Sequence, residues 1–288
     1  MGKFSRALER SGLGAPGEEE RDGAVESGPE APAAPERAGA EKTSKPEKKL
    51  RQPSGGWDTR LTQSTSFSAE SAESFRVLRS RILFPDDGAP TCKTIMVTST
   101  AIGEGKTFVA ANLGIALAQG VDQRSLLVDC DLRRPTLAQL FGLSQQKGLA
   151  DFLKSGTDLA ELILKTSVDK LTILPSGRPP VNPSELLGSA RMDGLVKEMA
   201  ERYDDRFIIF DTPPVLAASE ALVLSQKVDG VVLVVRQGAS GRSQIKRIIE
   251  LIGREKLIGI VFNSYVRSYL EDRILGQYAY YGDYDKPA

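Results

Sequence analysis

A glycine-rich loop with a lysine and a threonine is the segment of this sequence best suited to chemistry. It reads Gly103-Glu104-Gly105-Lys106-Thr107, between the apolar run 94–98 and an apolar helical pattern. Glycines let backbone N–H groups close around phosphate oxygens at a helix N-terminus, where the helix dipole favours anions. The lysine of such a loop reaches the β- and γ-phosphates, and the threonine hydroxyl ligates Mg²⁺. The segment predicts a P-loop for ATP and Mg²⁺, although Thr100 replaces the usual first glycine.

Carboxylates at the ends of two further apolar runs support this prediction. The run 126–128 leads into Asp129-Cys130-Asp131-Leu132-Arg133, and the run 207–210 leads into Asp211-Thr212-Pro213-Pro214. Residues two apart on a strand face the same side, so Asp129 and Asp131 are expected to project together. Open α/β sheets bind ligands at the carboxyl ends of their strands. A single aspartate there is usually a turn or cap residue, but three phosphate-site signals in this order predict nucleotide and Mg²⁺ binding.

The elements that would position these residues follow an α/β pattern. Continuous apolar runs at 94–98, 126–128, 171–174, 207–210, 231–235 and 258–262 are typical of parallel strands covered on both faces. Helical patterns lie between them at 107–119, 191–202 and 242–254. We predict a P-loop NTPase fold, with a mostly parallel sheet and helices on both faces.

Composition changes divide the chain into three parts. Residues 1–60 are rich in Gly, Pro, Ala, Glu and Lys and predict a disordered segment. Residues 61–264 form the predicted P-loop domain, which includes a helix at 68–83 that Ser68 is placed to cap and Pro85 to follow. Residues 265–288 are polar and tyrosine-rich, and we expect a flexible tail.

The overall composition excludes several classes of function. With no histidine in 288 residues, a Ser-His-Asp triad, a Cys-His pair and a His-ligated zinc site are all absent. The formal net charge is zero, which gives no reason to expect nucleic acid as a partner. Two cysteines are too few for a disulfide framework and point to a reducing compartment. No apolar run is long enough to cross a bilayer, so we expect a soluble cytoplasmic protein.

The C-terminal tail concentrates the tyrosines of the chain. Six of the seven tyrosines fall in the last 24 residues. Packing against the body or a partner is the simpler explanation, but nearby aspartates, glycines and Pro287 suit a solvated segment better. We therefore predict a substrate tail, with its phosphorylation sites at Tyr278, Tyr280, Tyr281 and Tyr284.

Together these motifs resemble the bacterial tyrosine kinase (BY-kinase) family of capsule and exopolysaccharide systems, from about residue 73 to the C-terminus. The loop at 103–107 looks like its Walker A motif, Asp129-x-Asp131-x-Arg133 like its Walker A′, and 211–214 like its Walker B. The segment 182–187 and the tyrosine cluster are also similar. Glu73-x-x-Arg76-x-x-Arg79 looks like its assembly motif, although spacing alone favours a solvated ion-pair face. Ile102 departs from the proline that is common in family loops.

The resemblance implies an ATP-dependent tyrosine autokinase and assigns roles to these residues. Asp129 would accept the proton of the tyrosine, and Asp131, Asp211 and Thr107 would serve Mg²⁺. Which of the two Walker A′ carboxylates takes the proton stays open. The predicted catalytic residues are Lys106, Asp129, Asp131, Asp211 and Arg133. The predicted nucleotide ligands are Gly103, Glu104, Gly105, Lys106, Thr107 and Asn263.

The resemblance also implies partners. Glu73, Arg76 and Arg79 would join subunits into a ring-like homo-oligomer that phosphorylates tails in trans. A separate membrane protein of the polysaccharide chain-length type would activate the kinase and hold it peripherally at the inner face of the plasma membrane. A tyrosine phosphatase would reverse the reaction.

Two alternatives remain open on sequence grounds. Partition and division-site ATPases share the expected fold, but they carry a lysine five residues before the invariant one, where this chain has Ala101. The other alternative is a nucleotide-gated scaffold, whose tail docks partners without being phosphorylated. Asn263 is also ambiguous, because asparagine at a strand end is more often a turn residue than a base contact.

Overall fold

The protein folds around one mostly parallel β-sheet. The computed structural model describes residues 56–58, 61, 69–85, 90–144, 146–202 and 206–265. In this part of the chain the sheet has seven strands in the order β3-β4-β2-β5-β1-β6-β7. The strands are β1 Thr94–Ser99, β2 Arg124–Asp129, β3 Leu164–Lys165, β4 Leu171–Leu174, β5 Arg206–Asp211, β6 Gly230–Arg236 and β7 Leu257–Asn263. All neighbouring pairs are parallel except β3 with β4.

Helices cover both faces of the sheet, as the continuous apolar runs predict. They are α1 Ala69–Leu83, α2 Lys106–Ala118, α3 Leu137–Leu140, α4 Leu149–Ser155, α5 Leu159–Leu162, α6 Pro183–Leu187, α7 Ala190–Arg202, α8 Ser219–Ser225 and α9 Arg242–Ile252. Ile95 and Val97 of β1 join a core with α1, α2 and α3. Met96, between them, joins a second core with helices that include α7, α8 and α9. Every residue of β1 is buried, which explains why its sequence does not alternate.

The predicted boundaries need small corrections, each with a local cause. The helix predicted at 242–254 ends at Ile252, because Gly253 has a φ of 98° and a short 3₁₀ turn, Arg254–Lys256, follows. The antiparallel strand β3 was not predicted, since two residues are too few to show a pattern. The short helices α3, α4, α5, α6 and α8 were missed because four to seven residues are too few to show a helical period.

The N-terminal part of the chain contributes two anchored stretches. Trp57 donates a hydrogen bond to the Ser167 hydroxyl at 2.7 Å and packs edge-on against Phe141. Helix α1 begins at Ala69, and Ser68 lies outside the described residues. Ile82 buries the end of α1 in the core that also contains α2. No helix in the described residues is long and apolar enough to cross a membrane.

Candidate nucleotide and phosphoryl-transfer site

The loop between β1 and α2 has the backbone geometry that a phosphate cradle requires. Gly103 and Gly105 have φ values of 83° and 92°, a region that side-chain-bearing residues rarely adopt. A Cβ atom at Gly105 would lie 2.0 Å from the Asn263 amide nitrogen, so a larger residue would also collide. Gly105 caps the N-terminus of α2, which is 13 residues long. The positive end of the helix dipole therefore lies directly at the glycine loop, where an anion would be favoured.

The side chain of Glu104 braces this loop from inside. It is 1% exposed and accepts hydrogen bonds from the backbone N–H groups of Thr100 at 2.7 Å and Ala101 at 2.8 Å. The hydroxyls of Thr100 and Ser240 also donate to it, at 2.6 and 2.7 Å. Burial alone would raise the pKa of Glu104, but these hydrogen bonds outweigh it and lower the pKa. The carboxylate is thus committed to the protein, and only the backbone of Glu104 is left to contact a nucleotide.

This brace gives a physical reason for the departure at Thr100. The N–H and hydroxyl of Thr100 both bond to Glu104, so a side chain is accommodated where a glycine is usual. Asn263, at the end of β7, donates its amide to the Glu104 carbonyl oxygen at 2.8 Å. Asn263 therefore lies against the loop, while its predicted contact with an adenine base stays a prediction.

Three predicted residues converge beside the loop: Lys106, Asp131 and Asp211. The Lys106 Nζ lies 2.8 Å from Asp131 Oδ2 and 3.9 Å from Asp211 Oδ1. It also donates to the Thr107 hydroxyl at 3.3 Å. Burial would lower the pKa of Lys106, but Asp211 and Asp131 outweigh it and raise the pKa. Lys106 is therefore held as a cation among carboxylates, close to the N-terminus of α2.

Asp211 is the carboxylate best placed to ligate a cation. It is 1% exposed, and neither of its oxygens makes a full hydrogen bond within the described residues. Burial raises its pKa, opposed by Lys106 and by the nearby Thr107 hydroxyl, while Asp131 raises it further. A buried carboxylate with unused oxygens beside a hydroxyl fits Mg²⁺, which prefers oxygen ligands.

The described side chains alone do not form a complete metal cage. Among the described residues, no three Cys, Asp or Glu side chains are grouped closely enough to hold an ion. Mg²⁺ in nucleotide sites is commonly held by one or two carboxylates together with substrate phosphates and water. The residues present therefore fit an ion that arrives with the nucleotide.

Asp129 lies next to Asp211 but is used differently. The two residues are register partners on the neighbouring parallel strands β2 and β5. Asp129 accepts the backbone N–H groups of Asp131 and Leu137, one on each carboxylate oxygen, both at 3.2 Å. Burial and then Asp211 raise its pKa well above the ordinary value of 3.8. Asp129 therefore pins both ends of the turn that presents Asp131.

Arg133 is fixed at the rim of the site by residues that the motifs did not single out. Its side chain is half exposed, and its Nε donates to Glu220 Oε1 at 3.1 Å. Its Nη2 donates to the Ser184 hydroxyl at 2.9 Å. Sequence reasoning noted the segment that contains Ser184 but missed Glu220 and Ser240. Arg133 is 51 positions from Ser184 and 87 from Glu220, and Ser240 is 140 positions from its partner Thr100, so no local pattern reveals these contacts.

The predicted assembly residues have partners within the same protomer. Glu73 and Arg76 form an ion pair with each other on an exposed face of α1. Arg79 donates to the Ala116 carbonyl oxygen at 3.1 Å, in the last turn of α2. A cation at a helix C-terminus is favoured by the dipole, so Arg79 also fastens α1 to α2. The predicted phosphorylation sites Tyr278, Tyr280, Tyr281 and Tyr284 lie outside the described residues.

Comparison with known proteins agrees with this geometry. Residues 95–279 match the CobQ/CobB/MinD/ParA nucleotide binding domain family. The tyrosine-protein kinase YwqD of Bacillus subtilis is 35% identical over 216 residues, which cover 74% of this chain and 87% of that relative. The kinase domain of the Escherichia coli tyrosine kinase ETK superposes with a TM-score of 0.66 at 29% identity, covering 73% of this chain and 81% of that one.

A division-site ATPase is also similar, though less so. The cell division ATPase MinD of Pyrococcus furiosus superposes with a TM-score of 0.51 at 26% identity, covering 62% of this chain and 74% of that one. The fold is thus shared with both classes, while the similarity is greater to the kinases.

Proposed function

The chain belongs to the bacterial tyrosine-protein kinases of the CobQ/CobB/MinD/ParA nucleotide-binding family, and from this premise we propose that it is an ATP-dependent protein-tyrosine autokinase. The observation that carries the proposal is the convergence of Lys106, Asp131 and Asp211 at the N-terminus of α2. Phosphoryl transfer depends on positioning and on stabilising charge at the phosphates, and this arrangement supplies both.

The nucleotide would occupy the loop at 103–107. Backbone N–H groups of the loop bind the phosphates, and Lys106 leaves the carboxylates to pair with them. Thr107, Asp131 and Asp211 are the residues that would hold Mg²⁺. When bound, Mg²⁺ would offset the negative charge that develops on the phosphates during transfer. The buried, hydrogen-bonded Glu104 keeps the loop in shape before the nucleotide arrives.

One of the Walker A′ carboxylates would receive the proton of the acceptor tyrosine. A free phenol has a pKa near about 10 and an aspartate near about 4, so an ordinary aspartate is a weak base for it. The raised pKa of Asp129 narrows this gap, and a loose transition state requires the proton to leave only late. We assign the role to Asp129, which is fully buried and has to exchange one of its backbone N–H partners for the acceptor hydroxyl, with Asp131 oriented by it.

The acceptors would be the tail tyrosines Tyr278, Tyr280, Tyr281 and Tyr284 of a neighbouring subunit. In this proposal Glu73, Arg76 and Arg79 help join subunits into a ring-like homo-oligomer. A membrane protein of the polysaccharide chain-length type activates it at the inner face of the plasma membrane, and a tyrosine phosphatase resets it. The reaction would regulate capsule or exopolysaccharide synthesis and export, with no nucleic acid involved. The clustering of tyrosines and the family membership support these roles.

A partition-type ATPase is the second candidate, favoured only by the shared fold. Ala101 argues against it, because this position carries the signature lysine in those ATPases. Here the backbone N–H of Ala101 bonds to Glu104 inside the loop, and its methyl group carries no charge to offer to a second subunit's nucleotide.

Incubation with labelled ATP and Mg²⁺ tests the proposal directly. We expect phosphotyrosine in the wild-type chain, mapped by mass spectrometry to residues 278–284, and none in Lys106→Met. Circular dichroism of the variant should match the wild type. Release of free phosphate without phosphotyrosine would point to the ATPase, and nucleotide binding without either product would point to a scaffold.

A further inference from the structure

A buried carboxylate outside the Walker motifs is tied to the candidate site. Glu220, in the first turn of α8, is 3% exposed and lies in none of the motifs. It accepts one hydrogen bond from Arg133 Nε at 3.1 Å and another from the Ser184 hydroxyl at 2.9 Å. Arg133 Nη2 donates to the same hydroxyl at 2.9 Å, which closes a triangle of three side chains.

The triangle joins three separate segments of the fold. Arg133 follows β2 in the Walker A′ turn, Glu220 lies on α8 after the Walker B strand β5, and Ser184 lies on α6. An ionised carboxylate is rarely buried unless it is paired and hydrogen-bonded, and here both of its oxygens are engaged. Two nitrogens of the planar guanidinium are used at once, which fixes its direction as well as its position.

The position of Arg133 matters because Asp131 lies two residues before it in the same turn. Asp131 Oδ2 contacts Lys106 at 2.8 Å, and Asp131 Oδ1 accepts the backbone N–H of Arg134 at 3.1 Å. The carboxylate and the arginine are therefore parts of one tight turn. Holding the arginine at its rim fixes where the turn, and with it Asp131, lies relative to Lys106.

We propose that Glu220 is a positioning residue for phosphoryl transfer, which through Arg133 and Ser184 holds the Walker A′ turn against the Walker B side of the site. The proposal rests on the proposed kinase reaction. In this reaction Glu220 contacts neither the nucleotide nor the acceptor tyrosine, and it affects phosphoryl transfer only through Arg133. A purely structural role, packing α8 on α6, would instead be independent of Arg133.

The test measures transfer of phosphate to a full-length Lys106→Met chain, an acceptor that cannot phosphorylate itself. Misplacement of a reacting group by about 1 Å costs on the order of 100-fold in rate, so Glu220→Gln should lower kcat by roughly 10- to 100-fold. KM for ATP should stay within about twofold, because the phosphate loop is untouched. Glu201→Gln is the matched control, since it removes a carboxylate from an exposed ion pair with Lys197.

A double-mutant cycle separates positioning from structure. Arg133→Ala should lower kcat about as much as Glu220→Gln, and the double variant should be no slower than Arg133→Ala alone. Ser184→Ala, which leaves both charges in place, should give a smaller loss and keeps the test valid if Glu220→Gln fails to fold.

The possible results distinguish a failure of the positioning role from a failure of the kinase assignment. If the wild type transfers phosphate and Glu220→Gln keeps kcat within about twofold, the positioning role is refuted and the kinase assignment stands. The same holds if the losses of the two single variants multiply in the double variant. A wild type that forms no phosphotyrosine refutes the proposed function, and this inference with it.

Discussion

Replacing Asp211 by asparagine should stabilise the nucleotide-free protein while abolishing its activity. Asp211 is buried with neither oxygen fully hydrogen-bonded, and Asp131 lies close enough to disfavour its charge. Its pKa is raised even though Lys106 lies 3.9 Å away, so its surroundings favour the neutral form. Asparagine has the same shape without the charge, and Lys106 keeps its closer partner Asp131 at 2.8 Å.

The size of the effect follows from the burial of an unsatisfied group. Leaving a buried polar group without its partners costs about 1–3 kcal/mol and more for a charge, so replacing the charged carboxylate by a neutral amide, which is still buried, should recover about 1–3 kcal/mol. For a domain of this size each kcal/mol shifts Tm by about 2–4 °C, so Asp211→Asn should raise Tm by roughly 2–12 °C. Thermal unfolding in EDTA near neutral pH measures this. Added Mg²⁺ and ATP should then stabilise the variant less than the wild type.

The gain in Tm from Asp211→Asn should depend on pH. A carboxyl whose pKa is raised by folding binds its proton more tightly in the native state, so its contribution to stability is lost as pH rises through the folded pKa. The Tm advantage of Asp211→Asn should therefore be small near the ordinary pKa of 3.8 and grow above it.

Lys106→Met is the opposite control. It removes the cation that offsets these carboxylates, and Tm should fall. The reasoning fails if Asp211→Asn lowers Tm in EDTA, or if its effect is the same at all pH values.

Three further predictions concern the assembly face, the phosphate loop and the tail. Glu73→Ala with Arg76→Ala should lower the oligomer mass in light scattering, and Arg79 is left intact because it bonds to Ala116 in its own protomer; an unchanged mass would mean a solvated ion pair. Glu104→Ala should weaken ATP binding by roughly 5- to 50-fold in calorimetry, equivalent to the loss of one or two hydrogen bonds worth about 1 kcal/mol each, and unchanged affinity would mean that the loop needs no brace. Phosphorylation adds about −1.5 to −2 charges per tyrosine, so the modified tail should be expelled from the acidic site and the oligomer should dissociate until a phosphatase acts. A variant with phenylalanine at Tyr278, Tyr280, Tyr281 and Tyr284 should stay assembled in ATP, and its dissociation would contradict this prediction.

The sequence predicted the central part of the site because that part is governed by short-range rules. Apolar runs that end in aspartate become parallel strands, and parallel strands bring their carboxyl ends to one edge of the sheet. The pairing of β2 with β5, which makes Asp129 and Asp211 register partners, joins distant segments and was not predicted. The loop glycines follow from the same kind of rule, since their positive φ values permit the turn into α2.

The supporting contacts could not be predicted, because they join segments that are distant in the chain. Glu104 and Ser240 are 136 positions apart, and Arg133 and Glu220 are 87 apart. An isolated serine or glutamate in a loop or first helical turn has the ordinary explanation of a cap or a solvated residue. Only the packed structure reveals that Glu220 and Glu104 are both buried, each holding a different side of the site.

Transfer between subunits competes with transfer within one chain, so it needs its own test. Asn263 at the end of β7 bonds to the phosphate loop, so the tail begins beside its own active site. Tyr278 follows Tyr265 by thirteen residues, which span at most about 45 Å when extended, a reach that also permits a return to the chain's own site. Mixing inactive Lys106→Met, which keeps its tyrosines, with an active chain whose four tail tyrosines are phenylalanine decides the question. Trans transfer predicts phosphotyrosine on the Lys106→Met chain, at a rate that falls on dilution as the chains separate. Cis transfer predicts none in the mixture, while the wild type alone is modified at a rate independent of its concentration.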